Sequence, residues 1–475
     1  MPAGGGGNRD AAPMHVVMLP WLAFGHIVPF AQLARRLLAS SSSVRVTFLT
    51  AAGNVPRVEA MLSSASSAGG GVAVVPLRLP CVPGLPEGAA STAELSPDGA
   101  ELLKVALDGA RPQVAALLAE LRPDAELLDF ATPWASEDAA ALGVKSLHFS
   151  VFSAVAGAYL VVPARCPDGA SAPSARDLLS GAAGFPGSSP LAATGVPPYQ
   201  AADFAYVFAS FGGQPSVYDR AVASIRPCDG IVLKTCAEME GAYVDYFAAQ
   251  FQKPVLVAGP LVPDPPQAGE LLDERWATWL SAFPDGAVIF ASFGSETFLP
   301  PAAATELLLG LEATGRPFLA VLNSPDGAAV VPPPGFAERV SGRGLVHTGW
   351  VQQQHILRHR SVGCYVTHAG FSSVVEGLVA GCRLVMLPMK GDQYLNAALF
   401  ARELGVGVEV ARRDEDGWFG RQDVCDAVAA AAVADGGGGD AWKKWADFFK
   451  DDAVQGRFAD EFVRQLREVV SAAPS

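Results

Sequence analysis

Short apolar runs alternate with longer amphipathic stretches along most of the 475-residue chain, the pattern of parallel strands joined by crossover helices. In the first half, residues 15–19, 44–50, 72–77, 126–129, 146–149 and 255–258 read as strands. Residues 27–39 read as an amphipathic helix with Pro29 in its first turn. Residues 288–293, 318–322, 345–348, 364–367, 384–387 and 407–410 repeat the strand pattern in the second half. Between the halves, residues 259–269 (GPLVPDPPQAG) carry four prolines, a semi-stiff connection. Gly- and Pro-rich stretches at 80–88 and 166–198 read as loops, the second long and made of small residues.

The expectation is an α/β chain of two doubly wound units. Residues 1–13 form a disordered tail, 14–258 the first domain, 259–275 the linker and 276–455 the second domain. Residues 456–475 form a terminal helix. A chain of this length suits two cores better than one, and a hydrophobic content of 50% supplies ample material to bury.

Composition narrows the function. The balance of 34 basic against 48 acidic residues leaves a net charge of −14 without a basic cluster, which argues against nucleic acid as a partner. Seven scattered cysteines, with no CxxC pair and no His-rich ligand spacing, read as free thiols in a reducing compartment and give no zinc site. The Gly-rich start carries Asp10 and no apolar core, so it reads as a tail and not a signal peptide. The most hydrophobic stretch, 151–163, is too short to span a membrane. A cytoplasmic monomer is expected.

Two constellations carry chemistry. The first is 350–393, WVQQQHILRHRSVGCYVTHAGFSSVVEGLVAGCRLVMLPMKGDQ. A buried strand over 363–367 leads through a turn at His368, Ala369 and Gly370 into a helix opening at Ser372 and Ser373. Free N–H groups and the positive dipole end at a helix start favour phosphate. Gly370 lets the backbone approach closely, and His368, Ser372 and Ser373 add donors. Trp350 offers a flat face for a base, Gln353 an amide, and Glu376 an acceptor for ribose hydroxyls. Asp392 and Gln393, in the loop after Pro388, suit the hydroxyls of a hexose.

These 44 residues resemble the signature box of plant secondary-product UDP-dependent glycosyltransferases. The resemblance implies a GT-B fold, two facing Rossmann-like domains with a cleft between them. It implies that Trp350 stacks on uracil, that Val351 offers backbone groups to it, and that Gln353 and Glu376 hold ribose. His368, Ser372 and Ser373 would hold the diphosphate, and Asp392 and Gln393 the transferred sugar. A final Gln goes with glucose in this family, so UDP-glucose is the expected donor co-substrate, with no further cofactor. Phe371 stands where most members have Trp, Ser372 where most have Asn, and Ala369 where most have Cys. Phe at 371 resembles the branch that extends flavonoid and anthocyanin glycosides. The terminal helix would pack back on the first domain, as the family's does.

The second constellation is His26, at the corner between the first strand and its helix, with Asp129 at the end of a distant apolar run. Sugar transfer to a hydroxyl needs a base, and a carboxylate behind an imidazole orients the ring and stabilises the cation formed. PWLAFGHIVPF and LLDFATPW match the family's catalytic His and Asp regions. Ser295, beside Gly294, is a further phosphate candidate. Phe130, Phe152 and Phe208 are candidates for an apolar acceptor pocket suited to a small lipophilic alcohol or phenol: a flavonoid or its glycoside, a terpenoid or a trichothecene. The DxD-like triplet at 414–416 reads as a solvated turn, so no metal is expected. Together these imply an inverting, metal-independent displacement. Two rivals are a nucleotide-sugar binding protein without turnover and a nicotinamide-dependent oxidoreductase. The second lacks a GxGxxG after a strand with an acid about twenty residues on.

Overall fold

The computed structural model describes residues 13–66, 71–167, 171–181, 183–266, 269–324, 327–433 and 439–472. The expected tail 1–13 lies, except for Pro13, outside the described residues.

The strands form two wholly parallel sheets. The first comprises β1 (Met14–Leu19), β2 (Val44–Ala51), β3 (Gly71–Leu77), β4 (Ala125–Leu128), β5 (Lys145–Ser150), β6 (Gly230–Leu233) and β7 (Val255–Val257). Their order is β3-β2-β1-β4-β5-β6-β7. The second comprises β8 (Val288–Ser292), β9 (Phe318–Val321), β10 (Gly344–His347), β11 (Val362–Thr367), β12 (Arg383–Met386) and β13 (Val408–Glu409), in the order β10-β9-β8-β11-β12-β13. The central strands are apolar along nearly their whole length because helices cover both faces of a parallel sheet. Pro76 is tolerated in β3 because β3 is an edge strand.

The apolar pattern did not disclose β6. It is four residues long, between a polar turn and the helix Ala237–Phe251, and no alternation marks it. The described part of 166–198, expected as a loop, contains the helical turns Asp177–Leu179 and Pro190–Thr194. The first helix, Phe24–Ser40, begins three residues before its expected start. Pro29 therefore sits in the second turn rather than the first, where its missing N–H leaves the Gly25 carbonyl without its usual bond.

In each sheet the strand order reverses at the first strand: between β1 and β4, and between β8 and β11. Crossovers leave in opposite directions there and open a crevice at the carboxyl ends of the strands, where ligands bind in such folds. The terminal helix Asp452–Ser471 returns to the first domain, where Phe462, Val463 and Leu466 share a core with Ile27, Phe30, Leu33 and Leu37. Among the described residues no helix is long and apolar enough to cross a membrane.

Candidate active site

The carboxyl ends of the two sheets face one another across a cavity of about 290 Å³. Gly25, His26, Val151, Phe152 and Lys234 line it from the first domain; Phe293–Thr297, His368, Gly370–Ser373, Lys390, Asp392 and Gln393 line it from the second. Hydrogen bonds cross between the domains nearby, among them Thr92 to Glu296 at 3.0 Å, Ser153 to Asn396 at 2.6 Å, and the Gly391 N–H to Asp203 at 2.7 Å.

His26 lies in the first turn of its helix and is 9% exposed. Its Nδ1 is 2.8 Å from Asp129 Oδ2. That oxygen also accepts the Trp21 N–H at 3.0 Å, and Oδ1 accepts the Phe130 N–H at 2.7 Å. The carboxylate is thus held on both oxygens by backbone that follows β1 and β4, the two strands at the switch point. Burial alone would raise the Asp129 carboxyl, but the facing imidazole, its hydrogen bond and the Trp21 N–H outweigh it, so the group sits below its ordinary value. An ionised Asp129 can only accept, so the hydrogen bond requires a proton on His26 Nδ1, and the tautomer that carries only this proton has its lone pair on Nε2. Phe130 and Phe152 flank the ring at centroid distances of 5.6 and 5.4 Å. Behind Asp129, the Ser224 hydroxyl donates to its backbone carbonyl at 3.2 Å and takes a hydrogen bond from His148 Nδ1 at 2.9 Å. Burial lowers His148 to about 4, which keeps it neutral beside the pair.

Across the cleft, the helix Phe371–Ala380 starts one residue earlier than the sequence suggests. Its first internal bond runs from the Val374 N–H to the Gly370 carbonyl. The N–H groups of Phe371, Ser372 and Ser373 therefore have no partner within the helix. His368 is wedged between two glycines. A Cβ on Gly370 would lie 2.6 Å from its Nε2, and one on Gly294, at φ +72°, 3.1 Å from its Cε1. Burial lowers His368 to about 4, which keeps the ring neutral. Ser295 occupies the turn after β8, beside it. His368 and Ser295 thus follow β11 and β8, the switch-point strands of the second sheet.

The structure gathers ten of the expected residues around this cavity: His26, Phe152, Ser295, His368, Gly370, Phe371, Ser372, Ser373, Asp392 and Gln393. Trp350, Val351, Gln353 and Glu376 lie outside its lining. Trp350 is 81% exposed, so it is not a core aromatic. Val351 is buried. Gln353 donates to Glu376 at 2.6 Å and accepts from Ser292, at the end of β8, at 3.0 Å. Burial raises the Glu376 carboxyl, against the Gln353 hydrogen bond and the Arg358 charge. Phe208 does not belong with the others: it is buried 5.1 Å from the Tyr218 ring, in the core. An aromatic run gave no means of telling core from pocket.

Residues 241–427 match the family model for UDP-glucoronosyl and UDP-glucosyl transferase. The chain is 49% identical to the anthocyanidin-3-O-glucoside rhamnosyltransferase of Petunia hybrida, over 97% of each chain. It is 43% identical to UDP-glycosyltransferase 79A6 of Glycine max, over 97% of this chain and 98% of the relative. The chain belongs to the UDP-glycosyltransferase family. The fold agrees with the crystal structure of Arabidopsis thaliana UGT89C1, with a TM-score of 0.72 at 24% identity over 95% of this chain and 99% of that one.

Two residues at the cleft, Asn396 and Lys234, escaped the sequence reading. Asn396, four residues after Asp392 on the helix Asp392–Ala398, donates to Asp392 at 2.9 Å and to the Ala369 carbonyl at 3.1 Å, and accepts from Ser153 of the other domain. An i, i+4 Asp–Asn pair was the available signal. Gln393 has its amide oxygen committed to the Met389 and Lys390 N–H groups at 2.9 and 3.2 Å, and its NH₂ to Thr297 at 3.0 Å. Lys234 follows β6, the strand without a pattern, and burial lowers its ammonium to about 8. Asp416 of the acidic triplet pairs with Arg413, and among the described residues no three His, Cys, Asp or Glu stand close enough to hold a metal.

Proposed function

We propose that this enzyme is an inverting glycosyltransferase that moves a sugar from a UDP-sugar to a hydroxyl of a flavonoid glycoside, with His26 as base, Asp129 as its partner and no metal. One observation carries the reading: a carboxylate-backed imidazole on one domain faces a helix start with His368, Ser295, Ser372 and Ser373 on the other, across a single cleft.

In the proposed reaction His26 Nε2 takes the acceptor hydroxyl proton as the oxygen attacks the anomeric carbon. The bond from that carbon to the diphosphate oxygen breaks, and UDP leaves from the opposite face, so an α-linked donor yields a β-glycoside. Asp129 stabilises the imidazolium formed. The free N–H groups, neutral His368 and the serine hydroxyls receive the charge that develops on the leaving oxygen. Trp350 would take the uracil face, Val351 its backbone contacts, and Gln353 with Glu376 the ribose.

Gln393 favours UDP-glucose by family resemblance. UDP-rhamnose and UDP-xylose stand beside it because relatives are named for rhamnosyl and xylosyl transfer. The acceptor is argued from the same relatives, several of which are named for anthocyanidin or cyanidin 3-O-glycosides.

The test is transfer by purified enzyme, with EDTA present, from the three UDP-sugars to flavonols, flavonoid glycosides and trichothecene alcohols, beside His26→Ala. Wild-type transfer with a loss of about 10³-fold in the variant, at unchanged UDP affinity, is expected. A variant that keeps a tenth of the activity would remove His26 as base. Tight UDP binding with no transfer to any acceptor would favour the binding-protein reading.

A further inference from the structure

The cleft contains a buried cation that this mechanism does not use. Lys234 comes directly after β6 and enters from the first domain, with 4% of its surface exposed. Among the described residues its ammonium has neither a hydrogen-bond nor an ion-pair partner. The neighbouring carboxylate of Glu240 is already engaged by the Val155 N–H at 2.8 Å and the Thr235 hydroxyl at 2.5 Å. The ammonium lies 5.0 Å from the centre of the Phe371 ring and is close enough to Asp392, of the other domain, to feel its charge.

The ammonium opens onto the cleft with three N–H donors and no acceptor among the described residues, so a ligand that fills the cleft is the natural recipient. Its chemistry follows from the neighbours. An anion between Lys234 and Asp392 would be repelled by the carboxylate, and the donors suited to phosphate are the helix-start N–H groups with His368 and Ser295. A polyhydroxylated ring fits: its hydroxyls accept from the ammonium and donate to the carboxylate.

We propose that Lys234 is a donor-sugar specificity residue, hydrogen-bonded to a hydroxyl of the sugar in transfer on the side opposite Asp392. This rests on the glycosyl-transfer reading above. The sugar is then read by both domains, and the site is complete only when they meet.

The experiment compares wild type with Lys234→Met, of similar length but without donors, and Lys234→Gln, which keeps an N–H. UDP-glucose, UDP-rhamnose and UDP-xylose serve as donors, and UDP alone is titrated by calorimetry. With the preferred donor, Lys234→Met should raise the donor KM by about tenfold or more, the scale of one hydrogen bond to a charged group, and compress the kcat/KM ratio between donors. UDP Kd and acceptor KM should stay within about twofold of wild type, and Lys234→Gln should recover part of the loss. A weaker UDP Kd would assign Lys234 to the diphosphate, and a shifted acceptor KM would assign it to the acceptor; either overturns the proposal. So does an equal loss with all three donors, or loss of UDP binding in both variants. An active wild type with indifferent Lys234 variants sinks this proposal alone, whereas a wild type inactive with every donor sinks the reaction reading as well.

Discussion

At the scale of single residues, charge and burial make the sharpest predictions. Asp129→Asn keeps the size of the side chain but removes the charge that would stabilise the His26 imidazolium. Its kcat should fall by about 10²-fold or more at unchanged UDP affinity; a smaller loss would reduce Asp129 to a packing role. Gln393 is tied to two backbone N–H groups and to Thr297, so Gln393→Ala should lower the melting temperature along with sugar affinity. A variant with wild-type melting and weakened donor binding would show that the amide acts on the sugar alone. Glu126, in the middle of β4, is 0% exposed, and neither carboxyl oxygen has a partner among the described residues. Burial, with a smaller push from Asp138, raises it from 4.5 to about 8. The folded chain thus keeps a proton that the unfolded chain releases near 4.5, and stability falls as pH rises from 4.5 to 8. Glu126→Gln should flatten the dependence of melting temperature on pH across that window. Parallel curves for the two proteins would refute it.

At the scale of elements, His26 is placed by the helix start after β1 and Asp129 by the end of β4. The helix Phe371–Ala380 matters for its unsatisfied first turn, and its boundary decides which N–H groups face the cleft. Its start was legible to within one residue because glycine and serine punctuate it. The first helix was less legible. Nothing in AFG announced a cap, and no side chain bonds to the first turn, so the start was placed at the apolar run and not three residues before it. The terminal helix behaves as part of the first domain. Leu466 is fully buried beside Phe30 and Leu37 in the shared core, so Leu466→Ala should cost about 2–5 kcal/mol in denaturant unfolding. An unchanged midpoint would mean that the helix is only loosely attached.

At the scale of the whole molecule, the two switch points face each other, and the contacts between them run through a few side chains. Asn396 joins Asp392, the Ala369 carbonyl and Ser153 of the other domain. Asn396→Ala should therefore lower kcat/KM by about tenfold or more while UDP affinity, which the proposed site draws from the second domain, stays close to wild type. Equal losses in UDP affinity and turnover would argue that Asn396 merely supports the second domain.

The sequence alone determined the alternation of strands and helices, the class of the fold, and the residue types able to bind a diphosphate. Each of these depends on local pattern: apolar runs that must be covered on both faces, and turn residues with free N–H groups beside them. The pairing of His26 with Asp129 was legible only as a candidate, since the two are 103 positions apart and meet because β1 and β4 are neighbours in the sheet. What only the tertiary structure decided was the company each group keeps. Phe208 went to the core while Phe130 and Phe152 went to His26, and Gln393 spent its amide on its own loop and on Thr297. Lys234, directly after a strand with no visible pattern, came to face a carboxylate of the other domain, because long-range packing sets burial and partner choice and no periodicity encodes them.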